Sequence, residues 1–432
     1  MRRTFPYVNQ REVMNLRRVV VTGMGVVAPN GIGVDDFWDS IIHGRSAVRR
    51  ITHFDVSSYP SQVAAEVQLF DPTDYMEPKN AKRLDRFAQF ALASAQMAVE
   101  DAHVNFDQYD PYRVGVIIGT AIGGGKTIET QHAIFSEKGL KRISPYTAVS
   151  ISTHSASGVI ACQYKLKGPN TTVAAGCNSG LDAVYLASNA IRLGDADTMV
   201  VGASEAPITP FGYAIFCASG FLSKDNVIPQ KAVKPYDREA DGMVLGEGGA
   251  VLVLEELQHA LERDAPIYGE VVSYSALNDA FDLFGVDTEN GTMARNFRQA
   301  LKKSNVPLPE IDYINAHGNG ILSYDIIETE AIKEVFGELA YSIPVSSFKP
   351  VTGHSISVSA VYQVIASLLA IRDGTIPPTI NLEHPAPPCD LNYVTRGSIK
   401  RDVNTVLINA HGFGGRLTAL IVRKLLSGRV LS

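Results

Sequence analysis

One cysteine, Cys177, stands in the run Val-Ala-Ala-Gly-Cys-Asn-Ser-Gly at residues 173–180. An apolar, strand-like segment precedes this cysteine and a helical pattern follows it. A thiol at such a junction is placed to attack an acyl group. Two imidazoles, those of His317 and His354, follow much later beside glycines, and they can move protons or bind an anion.

The residues after Cys177 predict a helix, because Leu181, Val184, Tyr185 and Ile191 fall on one helical face. The cysteine would then lie at the helix N-terminus, where unpaired N–H groups and the helix dipole favour a thiolate. The same N–H groups can stabilise an oxyanion. The alternative is a buried structural cysteine, since free cysteine is among the most buried residue types.

The two histidines are expected at the ends of regular elements. His317 follows the apolar run at 313–316, and His354 precedes a helical pattern that includes Val358 and Val361. The ends of strands and helices are where α/β folds gather their chemistry. A structural hydrogen-bonding role is the alternative for each histidine taken alone. Metal binding is disfavoured, because no third ligand stands at a recognisable spacing.

Short apolar runs alternate with helical patterns along the whole chain, which indicates an α/β architecture. Residues 172–202 and 313–353 share the plan strand, helix, strand and glycine-rich turn, so a duplication with its seam near residues 257–267 is a hypothesis. The predicted strands are Arg18–Thr22, Val114–Gly119, Thr172–Ala175, Thr198–Ala203, Ala250–Leu254, Glu270–Ala276, Tyr313–Ala316, Ile343–Ser346 and Thr405–Asn409. The predicted helices are Arg86–Ala102, Gly180–Leu193, Met293–Lys303 and Ser357–Ile371.

The composition is that of a globular enzyme, with 45% hydrophobic and 19% charged residues. A net charge of −6 argues against broad nucleic-acid binding. Four cysteines without metal or CxxC spacing indicate reduced thiols in a cytoplasm. The polar first 16 residues do not resemble a secretory signal, and no apolar run is long enough to predict membrane insertion.

Several runs in one order resemble the β-ketoacyl-[acyl carrier protein] synthases, most closely the type II elongating condensing enzymes. No single tripeptide among them is specific, but their number and order are. The runs are Val-Val-Thr-Gly-Met-Gly at 20–25, Ile-Ser-Pro at 143–145, Asp-Gly-Met-Val-Leu-Gly-Glu-Gly at 241–248, Asn-Ala-His-Gly at 315–318, Val-Ser-Ser at 345–347, Pro-Pro-Thr-Ile-Asn-Leu at 377–382 and Gly-Phe-Gly-Gly at 412–415.

The resemblance implies a thiolase-like, duplicated five-layer α/β/α/β/α fold. Its parts would be an N-terminal extension at 1–16, a half at 17–262 with the nucleophile and a half at 263–432 with both histidines. The implied activity is a decarboxylative Claisen condensation of an acyl-enzyme with malonyl-acyl carrier protein, in fatty acid, unusual lipid or polyketide synthesis. The implied partners are acyl carrier protein and a second copy of the chain. No cofactor is implied, since the phosphopantetheine belongs to the carrier.

The resemblance also assigns roles to residues. Cys177 matches the nucleophile, and His317 and His354 match the pair that holds the malonyl thioester carbonyl and assists decarboxylation. Lys349 matches the lysine near the second histidine. Phe413 matches an aromatic gate whose backbone N–H shares the oxyanion hole. The remaining substrate-binding candidates are Asn319, which replaces a threonine that contacts phosphopantetheine, and two residues at the acyl tunnel, Phe216 and Ile122.

The chain departs from the family pattern around this trio. Ile321 replaces the second pantetheine-binding threonine, so one hydrogen bond is expected to be missing. Gln363 replaces a glutamate and is expected to remove a charge partner of Lys349. His411 stands where an aromatic residue is usual, and Gly220 where an arginine often docks the carrier. These changes suggest a specialised paralogue that handles an unusual acyl chain.

Basic residues are the docking candidates for an acidic carrier despite the net negative charge; a solvated surface is the alternative for each group. Three other functions are weighed. A phosphate loop at 119–127 is disfavoured, since Thr120 occupies a required glycine position. A thiolase would need a second active-site cysteine, for which only Cys389 is a candidate. A partner subunit of a heterodimeric ketosynthase is compatible with Gln363 and Ile321. The docking candidates are Lys82, Arg83, Arg86, Lys138, Lys141 and Arg142.

Overall fold

A computed structural model describes residues 16–289 and 291–425, so the predicted extension at 1–16 lies outside the described residues except for Leu16. The strands in this part are β1 (Val19–Ala28), β2 (Gly31–Ile32), β3 (Arg49–Arg50), β4 (Val63–Ala64), β5 (Val114–Gly119), β6 (Asn170–Val173), β7 (Thr198–Glu205), β8 (Gly248–Glu256), β9 (Gly269–Asn278), β10 (Tyr313–Asn315), β11 (Val345–Ser346), β12 (Thr375–Ile376), β13 (Ile399–Lys400), β14 (Thr405–Gly412) and β15 (Arg416–Arg423). The helices are α1 (Val34–Ile42), α2 (Pro78–Ala81), α3 (Arg86–Asp101), α4 (Gly125–Lys138), α5 (Thr147–Ser150), α6 (Ser155–Tyr164), α7 (Ser179–Arg192), α8 (Pro210–Ser219), α9 (Leu257–Glu262), α10 (Thr292–Ser304), α11 (Leu322–Phe336), α12 (Lys349–Thr352) and α13 (Ser357–Asp373).

The main sheet has the same topology in both halves of the chain. Its strands follow the order β11-β10-β14-β15-β9-β1-β8-β7-β5-β6. The halves meet at a seam where β1 pairs with β9, with Val20 opposite Glu270 and Val21 opposite Gly269. Each half contributes five strands, which can be numbered 1 to 5 in chain order. From the outer edge of the sheet to the seam, the strand order is then 3-2-4-5-1 in both halves. The duplication inferred from the sequence is therefore visible as repeated topology.

The helices form three layers around the two halves of the sheet. α3 packs on β1, β8 and α6 on one outer side, and α10 packs on β9, β15 and α11 on the other. Between them lie α7 and α13, which contact each other and strands from both halves. The stacking is helix, sheet, helix, sheet, helix, which is the five-layer arrangement expected from the resemblance.

The sequences of the two central helices account for their burial. Every residue of α13 from Ser357 to Ile371 is buried, and most are small or apolar, as a helix packed on all sides requires. α7 buries the apolar face predicted from its spacing. Gly180 lets the two helices approach, because a Cβ there would lie 2.4 Å from the Ser357 carbonyl oxygen. This close packing brings the start of α7 next to the start of α13.

All nine predicted strands and all four predicted helices have counterparts in the structure; β5 has the predicted bounds, and the other elements have one or both ends shifted. β15, which pairs with both β14 and β9, was not predicted. Nor was α4, which begins inside the glycine-rich run considered as a phosphate loop. Among the described helices, none is long and apolar enough to cross a membrane.

Candidate active site

Cys177 lies in a short 3-10 turn, Gly176–Asn178, that connects the segment after β6 to α7. Asn178 fixes this turn against the other half, since its amide donates to the Ala410 carbonyl and to Thr418 Oγ1, both at 2.8 Å. Gly412 leaves room for the thiol, because a Cβ at this position would lie 3.2 Å from the sulfur. The nucleophile candidate is thus held by contacts to β14 and β15.

His354 is in direct contact with the thiol. Its Nε2 lies 3.2 Å from Cys177 Sγ, and its Nδ1 lies 3.1 Å from Ser359 Oγ. The backbone N–H of His354 donates to the Val244 carbonyl, which fixes the residue three positions before α13 begins. Burial lowers the pKa of His354 well below its usual value, so the ring is neutral and able to accept a proton.

His317 lies on a loop that two buried carboxylates hold. Glu328 accepts from the backbone N–H groups of His317 and Gly318 at 2.7 and 2.9 Å. Asp325 accepts from those of Asn319 and Gly320 at 3.1 and 3.2 Å. Both acids come from α11, so this helix places the imidazole after β10.

The rings of His317 and His354 lie 5.3 Å apart and nearly perpendicular. His317 Nδ1 faces the backbone N–H of His411 at 3.4 Å, so this nitrogen is the acceptor. Burial, with further contributions from His411, Lys349 and His354, lowers the pKa of His317 well below its usual value. The structure therefore brings the cysteine and both histidines of the sequence-based hypothesis into one site.

Lys349 is 2% exposed and donates from Nζ to the carbonyl oxygen of His317. Burial lowers its pKa to about 8, while Glu328 is the largest influence in the opposite direction. Gln363 lies elsewhere, and its amide donates to the carbonyls of Asn315, Ala316 and Asn409. The loss of one charge partner of Lys349 through Gln363 stays a prediction; the carboxylates that act on the lysine are those of Glu328 and Asp325 on α11.

The thiol is not poised as a thiolate. Burial raises the pKa of Cys177 to about 12, and the nearby carboxylate of Glu205 acts in the same direction. The positive charge of Lys349 opposes this rise. The backbone N–H of Cys177 lowers the pKa, the direction expected at a helix N-terminus, but loss of solvent is the larger influence. Deprotonation requires a base such as His354.

An apolar cavity of about 140 Å³ opens beside the thiol. This volume is close to the ~150 Å³ of an apolar cavity that holds benzene, so it admits only a small acyl portion while closed. Six of the eight site candidates from the sequence line it, whereas His317 and Lys349 do not. The lining residues are Ala121, Ile122, Gly176, Cys177, Phe216, Met243, Asn319, Tyr324, His354, Ile356, His411, Gly412 and Phe413.

Phe413 closes the cavity as part of an aromatic cluster. Its ring centroid lies 4.8 Å from that of Phe221 and 5.3 Å from that of Phe284. The next residue, Gly414, donates its N–H to the Leu283 carbonyl and so ties the turn to a surface loop. The position fits the gate role that the resemblance implies.

Asn319 is partly engaged within the protein. Its Oδ1 accepts from the backbone N–H of Ile321 at 2.9 Å, and its Nδ2 lies 3.2 Å from His317 Nε2. Ile321 is buried in the apolar cluster that also contains Tyr324 and Met243. Asn319 therefore faces the cavity with its amide turned toward His317, and Ile321 serves the core.

Glu205 is a site residue that the sequence analysis missed. At the end of β7 it accepts from the Ala121 N–H, from Thr120 Oγ1 at 3.2 Å and from Ser357 Oγ at 2.7 Å. It thereby fixes the loop that carries Ile122. These bonds also occupy groups that a phosphate would need, which argues against the phosphate-loop alternative. Asp325 and Glu328 were missed too, although their i,i+3 spacing after His317 was a readable signal.

Cys389 does not belong to this site. It is buried in the core of the second half, where Thr329 Oγ1 donates to its sulfur at 3.5 Å, and it does not line the cavity. The thiolase alternative therefore lacks its second thiol. Within residues 16–289 and 291–425, no group of histidine, cysteine, aspartate and glutamate side chains could hold a metal ion.

Comparisons with known proteins agree with this geometry. The chain matches the β-ketoacyl synthase N-terminal domain over residues 16–260 and the C-terminal domain over residues 268–383. It is 40% identical over 411 residues to 3-oxoacyl-[acyl-carrier-protein] synthase 2 of Coxiella burnetii, covering 95% of this chain and 99% of that protein.

Two solved structures have the same fold. One, a type II PKS acyl-carrier protein in complex with its ketosynthase bound to the hexaketide, has a chain that is 34% identical with a TM-score of 0.88. The other, the ishigamide ketosynthase/chain length factor, is 33% identical with a TM-score of 0.88. Each alignment covers 95% of this chain and 100% of the other. The fold is thiolase-like, as the resemblance implied, and the chain belongs to the β-ketoacyl synthase family.

Proposed function

We propose that this protein joins an acyl group carried on Cys177 to the malonyl group of an acyl-carrier thioester, with loss of CO₂. The product is a β-ketoacyl thioester two carbons longer. The observation that carries the proposal is the 3.2 Å contact between Cys177 Sγ and His354 Nε2 at the wall of an apolar cavity. Family membership supports this chemistry, and fatty acid or polyketide synthesis is the setting that the relatives suggest.

In the first step the sulfur of Cys177 attacks the thioester carbonyl of the acyl-carrier. His354 Nε2 accepts the thiol proton, since the neutral thiol is a weak nucleophile. The backbone N–H groups of Cys177 and Phe413 bind the oxyanion. When the intermediate collapses, the carrier thiolate leaves and takes the proton from His354.

In the second step the malonyl-carrier enters, and its thioester oxygen accepts hydrogen bonds from Nε2–H of His317 and Nε2–H of His354, the latter ring now being in the tautomer in which Ser359 Oγ donates to Nδ1. The bond to the carboxylate carbon breaks, CO₂ leaves, and the electron pair remains as an enolate. The enolate carbon attacks the acyl–Cys177 carbonyl, a carbon–carbon bond forms and the cysteine thiolate is released and protonated. We propose no bound cofactor, since the phosphopantetheine arm comes with the carrier.

The test is acylation of the intact protein by acyl-carrier, measured by mass spectrometry. We expect one acyl group per wild-type chain and none on Cys177→Ala. The matched control is Cys162→Ala, because Cys162 is an exposed cysteine on α6 and should not affect acylation. Acylation of Cys177→Ala, or loss of acylation in Cys162→Ala alone, would refute the assignment of the nucleophile.

The carrier is proposed to dock on a cationic surface groove whose basic lining residues are Lys82, Arg83, Arg86 and Lys126. Within the groove, Lys82 and Lys126 are exposed. Arg86 is less available than its sequence position suggested, because it pairs with Glu247 at 2.9 Å. Arg83 stacks on the ring of Tyr146 at 4.1 Å. The free cations of the groove are suited to an acidic partner.

We propose a homodimer formed through the free edge of β6. This strand ends the sheet, pairs on one side with β5 and exposes Asn170 and Thr171. An edge with unpaired backbone groups is a template for a second strand. Sedimentation equilibrium is expected to give twice the chain mass of 46.7 kDa. A mass of one chain at micromolar concentration would contradict the dimer.

The second candidate is a subunit that works only beside another ketosynthase-like chain. It rests on the likeness to a structure named as a ketosynthase/chain length factor. The retained Cys177, His317 and His354 favour the active enzyme. Acylation of the protein alone supports the first proposal, whereas acylation only after addition of a second subunit supports this one.

A further inference from the structure

A third imidazole, that of His411, stands in the active cavity and has no role in the steps above. It is the last residue but one of β14, is 1% exposed and lines the cavity beside Cys177. Its ring lies 4.0 Å from the ring of His317 and is stacked at 5.2 Å on that of Tyr324. The ring is therefore fixed in place by aromatic neighbours.

The Nε2 atom of His411 is buried and has no hydrogen-bond partner among the described residues. A buried polar atom without a partner costs free energy, so such atoms call for an explanation. No hydrogen bond to this atom comes from its neighbours in the cavity wall, Tyr324, Gly412 and Phe413. A substrate oxygen that enters the cavity would supply the missing bond.

The charges around His411 favour an anionic group. The buried cation Lys349 acts on His411, and burial together with that cation lowers the pKa of the imidazole to about 3. The α11 carboxylates Asp325 and Glu328 accept backbone N–H bonds from the loop of His317, and Glu205 acts on Cys177 in the same site. In the tautomer with its proton on Nε2, His411 would offer a carboxylate a neutral N–H donor in the field of Lys349.

We infer that His411 Nε2 donates a hydrogen bond to the carboxylate of the malonyl group and is a substrate-binding residue of this enzyme. The inference rests on the proposed function and deepens it by naming a contact to the extender unit. The contact exists before decarboxylation and disappears as CO₂ leaves. It therefore contributes to binding of malonyl-carrier and not to the rate of the bond-breaking step.

The test compares His411→Phe and His411→Gln with the wild-type enzyme. Phenylalanine keeps an aromatic ring against Tyr324 and removes the donor, whereas glutamine keeps a donor. With Cys177 fully acylated beforehand, we expect His411→Phe to raise the KM for malonyl-carrier about tenfold without lowering kcat, as for a lost hydrogen bond to a charged group. His411→Gln is expected to recover part of this loss.

The separate measurement of Cys177 acylation by a saturated acyl-carrier distinguishes the outcomes. In His411→Phe the rate of this acylation should fall by less than the tenfold change expected in the KM for malonyl-carrier. Equal slowing of acylation and condensation would show that His411 only shapes the cavity, and an unchanged KM would refute the contact. A defect confined to acyl chains with an oxygen on the third carbon would assign the bond to the acyl chain instead. If wild-type Cys177 is not acylated, the proposed function fails first.

Discussion

The sulfur of Cys177 is governed by burial and by two opposing charges. Burial and Glu205 raise its pKa, and Lys349 lowers it. Glu205 is itself buried, and burial raises its pKa to about 7. The negative charge next to the thiol is therefore present above neutrality and absent in mild acid. The sequence predicted the identity of the nucleophile but not this control, since the carboxylate stands 28 residues away at the end of another strand.

Glu205→Gln should make the thiol more reactive at alkaline pH. At pH 8.5 the wild-type carboxylate is ionised, so its removal lowers the pKa of Cys177 and raises the thiolate fraction by roughly three- to tenfold. Alkylation of Cys177 by iodoacetamide, followed by mass spectrometry, measures this. At pH 5.5 the carboxyl of the wild type is neutral, so both proteins should react alike. Equal rates at pH 8.5 would contradict the electrostatic coupling.

The same substitution should change how stability depends on pH. The pKa of Glu205 is about 7 in the folded protein against 4.5 for an unperturbed glutamate. The folded state thus binds more protons between these values, and this group's stabilising contribution is lost as pH rises from 4.5 to 7. Relative to wild type, Glu205→Gln should gain roughly 3 kcal/mol between pH 4.5 and pH 8. Urea unfolding of both proteins at the two pH values measures this difference. If the difference in the free energy of unfolding is the same at both pH values, Glu205 does not titrate in this range.

At the scale of elements, the site depends on the short loops that connect strands to helices and on the contacts that hold those loops. The loop of His317 is held by carboxylates of α11, and the turn of Cys177 is held by Asn178 against β14. α8 also ends in a short connection, at Gly220, whose backbone is left-handed with φ of +79°. The arginine that the resemblance implies at this position would have to adopt a conformation that favours glycine.

Two glycine substitutions should act in opposite directions on the free energy of unfolding. Gly220→Ala should lower it by about 1 kcal/mol, because alanine is strained at positive φ although nothing lies within 4 Å of its Cβ. Gly158→Ala, inside α6 and equally free of neighbours, should raise it by about 0.5–1 kcal/mol. Denaturant unfolding of both variants checks this. Shifts of the same sign would show that backbone conformation does not decide the effect.

Periodicity predicted the long elements well, because β5 and α7 bury continuous or one-sided apolar faces. It did not predict β15, whose first residues follow a glycine-rich turn that was interpreted only as part of the site. It placed the start of α13 at Ser357, where the helix begins, but ended β6 at Ala175 instead of Val173. The ends of short strands depend on tertiary contacts, which a local pattern does not contain.

At the scale of the molecule, the cationic groove and the cavity beside Cys177 are separate sites that share no lining residue. The groove lies on elements of the first half, including the segment around Lys82 and the start of α4 at Lys126. The net charge of −6 makes such a local excess of cations informative. An acidic carrier would be attracted to this groove and repelled elsewhere.

The double substitution Lys82→Glu and Lys126→Glu should raise the KM for the carrier substrate roughly tenfold and weaken its salt dependence. The kcat at saturation should not change, because the cavity is untouched. Lys302→Glu on α10 is the matched control, since it reverses one exposed charge on the other half. Steady-state kinetics at low and high salt measure both effects. A similar KM in the double variant and the control would exclude this docking surface.

The seam between the halves has a consequence for how the enzyme is assembled. Among the described residues the sheet crosses it through the Val20–Glu270 and Val21–Gly269 pairs, while the sulfur comes from one side and the imidazoles from the other. Reactivity is therefore a property of the docked pair: a chain cleaved between residues 262 and 263 would regain acyl transfer only as its fragments reassociate. Acyl transfer by the cleaved chain would therefore measure how well the two halves reassociate.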